Sequence, residues 1–109
     1  MSSATESAVI VLTTVGADAD AAELARTLVE QRLVACVNIV AGVTSVYRWK
    51  EGVEHDEEQL LVMKTTTDML EALEARLREL HPYELPEFVV LQLSGGSPAY
   101  LGWLCGSVG

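Results

Sequence analysis

Between Leu33 and Thr66 the chain carries two long runs of strand-forming residues joined by a single turn, and that hairpin narrows the folds open to it. Val37, Ile39, Val43 and Val46 supply β propensity on the outward run, and Leu60-Leu61-Val62-Met63 supply it on the return. Lys50-Glu51-Gly52 reads as the turn, and Gly42 as a bend or bulge in the outward strand. Strands usually have about 5–6 residues. The distal half of this hairpin, around Tyr47-Arg48-Trp49 and Glu51 to Glu58, is therefore predicted to project past the core. Projecting strands need a surface to pair with or pack against. A second copy of the same chain is the simplest such surface.

The flanking segments fix the rest of the topology. Ala8-Val9-Ile10-Val11-Leu12 is a continuous, largely β-branched apolar run, as expected of a buried strand. After Gly16, Asp18 or Asp20 can cap a helix, and Asp20 with Glu23 has capping-box spacing. Ala21, Leu24, Ala25 and Leu28 then recur at helical spacing, predicting a helix to about Leu33. Past the hairpin, Thr67 or Asp68 is the expected cap of a second helix, with Leu70, Leu73, Leu77 and Leu80 on one stripe. Two prolines, Pro82 and Pro86, stiffen the following turn, and Phe88 to Leu93 reads as a fourth strand. Ser97 as N-cap with Pro98 at the first helical position opens a short C-terminal helix. The order predicts an α+β, ferredoxin-like βαββαβ fold with a short C-terminal helix and a long β2–β3 hairpin. One domain over residues 8–109 is expected, preceded by a disordered segment over 1–7.

Charge and cysteine usage bound the partners. A net charge of −9 repels phosphate and anionic lipid, which argues against nucleic-acid or membrane binding. Cys36 and Cys105 match no disulfide or C-x-x-C framework, so a reducing, cytoplasmic setting is expected. No apolar run approaches the roughly 20 residues a membrane helix needs.

Catalytic patterns are weak. With only His55 and His81, a nucleophile–base pair would need a particular tertiary coincidence, and Gly95-Gly96 lacks phosphate-loop spacing. Cys36, inside an apolar run, reads as a packed thiol. The acidic run Glu54-His55-Asp56-Glu57-Glu58 reads as a solvated hairpin end, because same-face strand residues lie about 6.5–7 Å apart and do not converge on one ion. His81, held in the rigid turn near Glu84 and Glu87, is the better candidate metal ligand. Lys64 is expected to be partly buried, either pairing with a carboxylate such as Glu87 or offering its charge to an anion. Tyr47 and Trp49 share a strand face, and Tyr100 and Trp103 lie one helical turn apart; both pairs suit a core or subunit interface.

Five segments together resemble one family: Leu33-Val34-Ala35-Cys36-Val37-Asn38-Ile39, Gly42-Val43-Thr44-Ser45-Val46-Tyr47-Arg48-Trp49, Lys64-Thr65-Thr66, His81-Pro82-Tyr83-Glu84-Leu85-Pro86-Glu87 and Pro98-Ala99-Tyr100-Leu101-Gly102-Trp103-Leu104. They look like the divalent-cation-tolerance family CutA, in order, from about residue 8 to 105. The resemblance implies a cytoplasmic homotrimer, similar in shape to PII signalling proteins, with no enzymatic activity and a role in tolerance of divalent metals, chiefly copper. The family's copper ligands are a cysteine in the first strand and two adjacent histidines before the Pro-Tyr turn. Here those positions hold Thr13, Leu80 and His81, so only His81 matches and a cation such as Cu(II) would meet an incomplete donor set. A PII-like alternative places a small molecule in a cleft between subunits near Lys64, His81, Tyr83, Glu87 and Trp103. A scaffold trimer for another protein is a further alternative.

Overall fold

Helix α1 (Ala21–Glu30) begins where Asp20 Oδ1 accepts the Glu23 backbone N–H at 3.0 Å, and it buries Ala21, Ala25 and Leu28. It stops three residues short of the expected Leu33. Arg32 turns left-handed at φ 59, its N–H bonding Val29 O and the N–H of Leu33 bonding Leu28 O. That is a Schellman stop with arginine where glycine usually sits. No glycine announces it in the sequence. The computed structural model describes residues 7–109, so the expected disordered segment falls almost wholly outside the described residues.

The elements follow the order β1 (Ala8–Gly16), α1, β2 (Cys36–Trp49), β3 (Gly52–Thr66), α2 (Leu70–Leu80), β4 (Val89–Gln92) and α3 (Pro98–Gly106). They form one antiparallel sheet in the order β2-β3-β1-β4, the ferredoxin-like arrangement. A 3-10 turn over Thr67–Met69 precedes α2, and neither Thr67 nor Asp68 caps it. Instead Thr66 Oγ1 donates to Asp68 Oδ1 at 2.5 Å, which takes that carboxylate away from the helix start. Ser97 caps α3 by accepting the Tyr100 N–H at 3.1 Å, with Pro98 at the first helical position.

Strand alternation sorts the sheet into two faces. Val11, Val15, Leu61 and Met63 pack against Ala21 and Leu28 of α1 and Leu73 and Leu77 of α2 as the main core. On the opposite face, among the described residues, α3 packs over the Ala8 end through Leu101 and Leu104. The rest of that face carries Ile10 and Leu12 of β1 with Leu60 and Val62 of β3. Val89 and Leu91 of β4, paired to Leu12 and Ile10, extend it. Both β4 residues are 45% exposed.

Pairing of β1 with β3 ends at Gly16 and Glu58, whereas β2 and β3 stay paired out to Trp49 and Gly52. Residues 43–57 are therefore a two-stranded ribbon beyond the four-stranded sheet, and the molecule stretches to 47 × 26 × 23 Å. A register shift between Val40 and Val43, with Gly42 at φ 75, bends β2 where the ribbon begins.

Candidate functional site

The turn after α2 is tied to both central strands. His81 takes an extended backbone at φ −80, ψ 133, as the following proline requires. Its ring is buried, and both nitrogens are engaged: Nε2 donates to Thr14 O at 2.8 Å while Nδ1 accepts the Tyr83 N–H at 3.1 Å. A metal at either nitrogen would have to displace one of these bonds. Tyr83 leans over the His81 ring at 4.8 Å between centroids and donates its hydroxyl to Glu58 Oε2 at 2.5 Å. Burial first, then this bond and the carboxylate's charge, push the Tyr83 phenol well above the usual tyrosine range.

On the ribbon, Tyr47 donates its hydroxyl to Asp56, two residues along the strand from Glu58. That bond, followed by desolvation and the Asp56 charge, pushes the Tyr47 phenol up to about 12. Glu57 points to the other side of β3, accepting the Thr44 hydroxyl at 3.0 Å and lying 3.8 Å from His55 Nε2. The ribbon and the Pro-Tyr turn enclose an open groove of about 1230 Å³, walled by Tyr47, Trp49, Glu58, Tyr83, Glu84 and Glu87 among others.

The five residues expected to share one cleft fall into two groups. His81, Tyr83 and Glu87 belong to the turn. Lys64 and Trp103 lie at the other end of the sheet, where Lys64 Nζ sits 3.3 Å from the Tyr100 hydroxyl and the Tyr100 ring meets Trp103 tilted at 43°, 5.4 Å between centroids. Lys64 pairs across from Ile10 and Glu58 across from Gly16. Six residues of β1 separate those levels, about 20 Å at strand rise. One chain therefore does not bring the five together, and Lys64 finds a tyrosine instead of Glu87. Cys36 is half-buried, its thiol 3.8 Å from Asn38 Oδ1, so it is less enclosed than an apolar run suggested.

Thr13 occupies the first-strand position at which the resemblance implies a cysteine. It is wholly buried, and its hydroxyl has no hydrogen-bond partner among the described residues. Among the described residues no group of three or more His, Cys, Asp or Glu side chains is placed to hold a metal ion. The copper donors implied by the resemblance do not fit this chain. The residue that sequence reasoning missed is Glu58, only 4% exposed although it ends an acidic run. Its signal was the mismatch in strand lengths, which puts the last residue of the run at the sheet boundary.

Comparison with known proteins agrees with this geometry. Residues 9–107 match the family model described as CutA1 divalent ion tolerance protein. The divalent-cation tolerance protein CutA of Thermus thermophilus is 50% identical over 95 residues, covering 87% of this chain and 92% of its own. The mouse and human CutA proteins are longer, and the matched segment spans 48% and 47% of them. Among solved structures, the Thermus thermophilus Cut A1 protein superposes with a TM-score of 0.90 at 47% identity, covering 94% of this chain and 99% of that one. The PII-like protein CutA from Nostoc sp. gives a TM-score of 0.85 at 40% identity, over 93% and 97% of the two chains. The chain belongs to the CutA divalent-cation tolerance family.

Proposed function

We propose that this protein works as a homotrimer in divalent-cation tolerance, in a reducing compartment such as the cytoplasm, and without catalysing a reaction. The observation that carries the assembly is an apolar face with Ile10, Leu12, Leu60 and Val62 partly exposed and Val89 and Leu91 45% exposed, running on into a ribbon that among the described residues is paired only with itself. A two-stranded ribbon is marginal alone in water, and an apolar edge strand such as β4 invites pairing. Two cysteines that match no disulfide or C-x-x-C framework suit a reducing compartment.

Direct cation capture is the less supported half of the reading. His81 is committed within the fold, and softer copper donors are absent at Thr13 and Leu80. Any divalent ion would meet carboxylate oxygens, which favour hard ions over copper. The exposed ribbon carboxylates Glu54, Asp56 and Glu57 are the oxygens on offer to such an ion. The PII-like alternative has one specific support: Lys64 and Trp103 could join Tyr83 and Glu87 only from different subunits.

Sedimentation at micromolar concentration tests the assembly, with three times the 11.8 kDa chain mass expected. A monomer would sink the reading. Calorimetry with Cu(II) tests the metal half. His81→Ala is expected to lower folding stability by about 2 kcal/mol, from two lost hydrogen bonds and a buried ring, and to leave any Cu(II) affinity unchanged. A clear fall in affinity would restore His81 as a ligand.

A further inference from the structure

Arg32 ends α1 in the left-handed region, at φ 59, where a side chain is sterically penalised and glycine or asparagine is the usual occupant. Its side chain reaches from that stop to α3. Nε donates to Gly109 O at 2.8 Å and Nη2 to Gly106 O at 3.2 Å, while the Arg32 carbonyl accepts the Gly109 N–H at 3.0 Å. Gly106 is the last residue of α3, where carbonyls lack intrahelical partners and a cation suits the helix dipole. Arg32 forms no ion pair among the described residues, so its guanidinium is spent on this contact.

Helix α3 has reason to need such a hold. Nine residues are too few for a helix to be stable alone. Gly102 weakens it further, and nothing lies within 4 Å of where a Cβ there would sit, so packing within the chain does not call for glycine. Leu101 and Leu104 attach it to Ala8 in a small cluster separate from the main core.

We propose that α3 is a lid over Lys64, clasped shut by Arg32, and that it opens while the rest of the fold stays intact. Under the lid, Lys64 Nζ lies 3.3 Å from the Tyr100 hydroxyl and 5.5 Å from the centre of its ring. Lys64 is half-buried and forms no ion pair among the described residues, so in the closed state a neutral side chain of α3 occupies its charge. Lifting α3 frees that amine and uncovers the Ala8 end of the sheet, which continues into Ile10 and Leu12. Short elements with few apolar contacts are the ones that open locally, at a free energy below that of global unfolding. The clasp explains the arginine: the penalty at the stop of α1 is offset by bonds that hold the lid.

Hydrogen exchange of the full chain, read segment by segment at one protein concentration, tests the lid. Arg32→Gly and Arg32→Asn both suit a left-handed stop and both remove the clasp. Amides of residues 98–109 are expected to exchange roughly tenfold faster in each variant, the size of one or two lost charge-assisted hydrogen bonds. Strands β1 and β3 should exchange at the parent's rate, and the denaturation midpoint should hold or rise. Acetylation of Lys64 by N-hydroxysuccinimidyl acetate should quicken together with α3. An arginine that served only to stop α1 would raise the midpoint on replacement and leave α3 unchanged. Exchange over 98–109 equal to the parent's would therefore overturn the clasp. Faster exchange shared equally by β1 and β3 would overturn the lid, because α3 would then open only with the whole fold. Faster α3 exchange without faster labelling of Lys64 would show that α3 does not shield the amine, and would overturn the proposal as well.

Discussion

Thr13 shows how one residue can carry an avoidable cost. Its neighbours on the same strand face, Val11 and Val15, are apolar and fully packed, while its own hydroxyl is buried and unbonded among the described residues. A buried hydroxyl without a partner costs about 1–3 kcal/mol, and valine has nearly the same shape. Thr13→Val is therefore expected to raise stability by about 1 kcal/mol, read as a higher denaturation midpoint at fixed protein concentration. A lower midpoint would mean that the hydroxyl finds a partner the fold does not reveal. Residue types foretold little of this. His81 was legible as the polar centre of a rigid turn, but its partners Thr14 O and Tyr83 N–H depend on how that turn lands on β1. Glu58 was illegible as a buried group, because an acidic run reads as solvated until the end of β1 is located.

At the scale of elements, order was legible and ends were not. Apolar periodicity marked α1 and α2, continuous apolar runs marked β1 and β4, and the Ser97-Pro98 cap marked α3. The endings depend on single backbone choices: Arg32 turning left-handed, or Thr66 holding Asp68 away from the helix it was expected to cap. The turn over residues 81–88 owes its position to bonds across the sheet, and one of these is pH-sensitive. An ordinary tyrosine loses its proton near pH 10.0, and Tyr83 in the fold holds its proton to higher pH. Above that point the unfolded chain binds fewer protons than the folded one, so stability falls as pH rises. The Tyr83–Glu58 contribution is thus complete below about pH 10 and is lost through the alkaline range beyond it. Tyr83→Phe should flatten that alkaline decline in thermal melts; an unaltered slope would show that the bond adds nothing.

For the whole molecule, the open sheet face sets the balance between assembly and repulsion. Each copy brings a net charge of −9, which opposes association at low salt. Apolar contact across the open face has to outweigh it, and added salt should strengthen assembly by screening the charges. Leu91 offers a direct probe. In a single chain it is 45% exposed on an edge strand, so Leu91→Glu should alter the secondary structure and fold of the isolated chain little. In an assembly built on that face the same carboxylate would be buried without a partner, at a cost of several kcal/mol per copy. Sedimentation of Leu91→Glu is therefore expected to show monomers whose circular dichroism matches the parent, with partial reassociation at high salt. A trimer as tight as the parent's would mean that copies meet elsewhere, through the ribbons alone, and that the apolar face serves another partner.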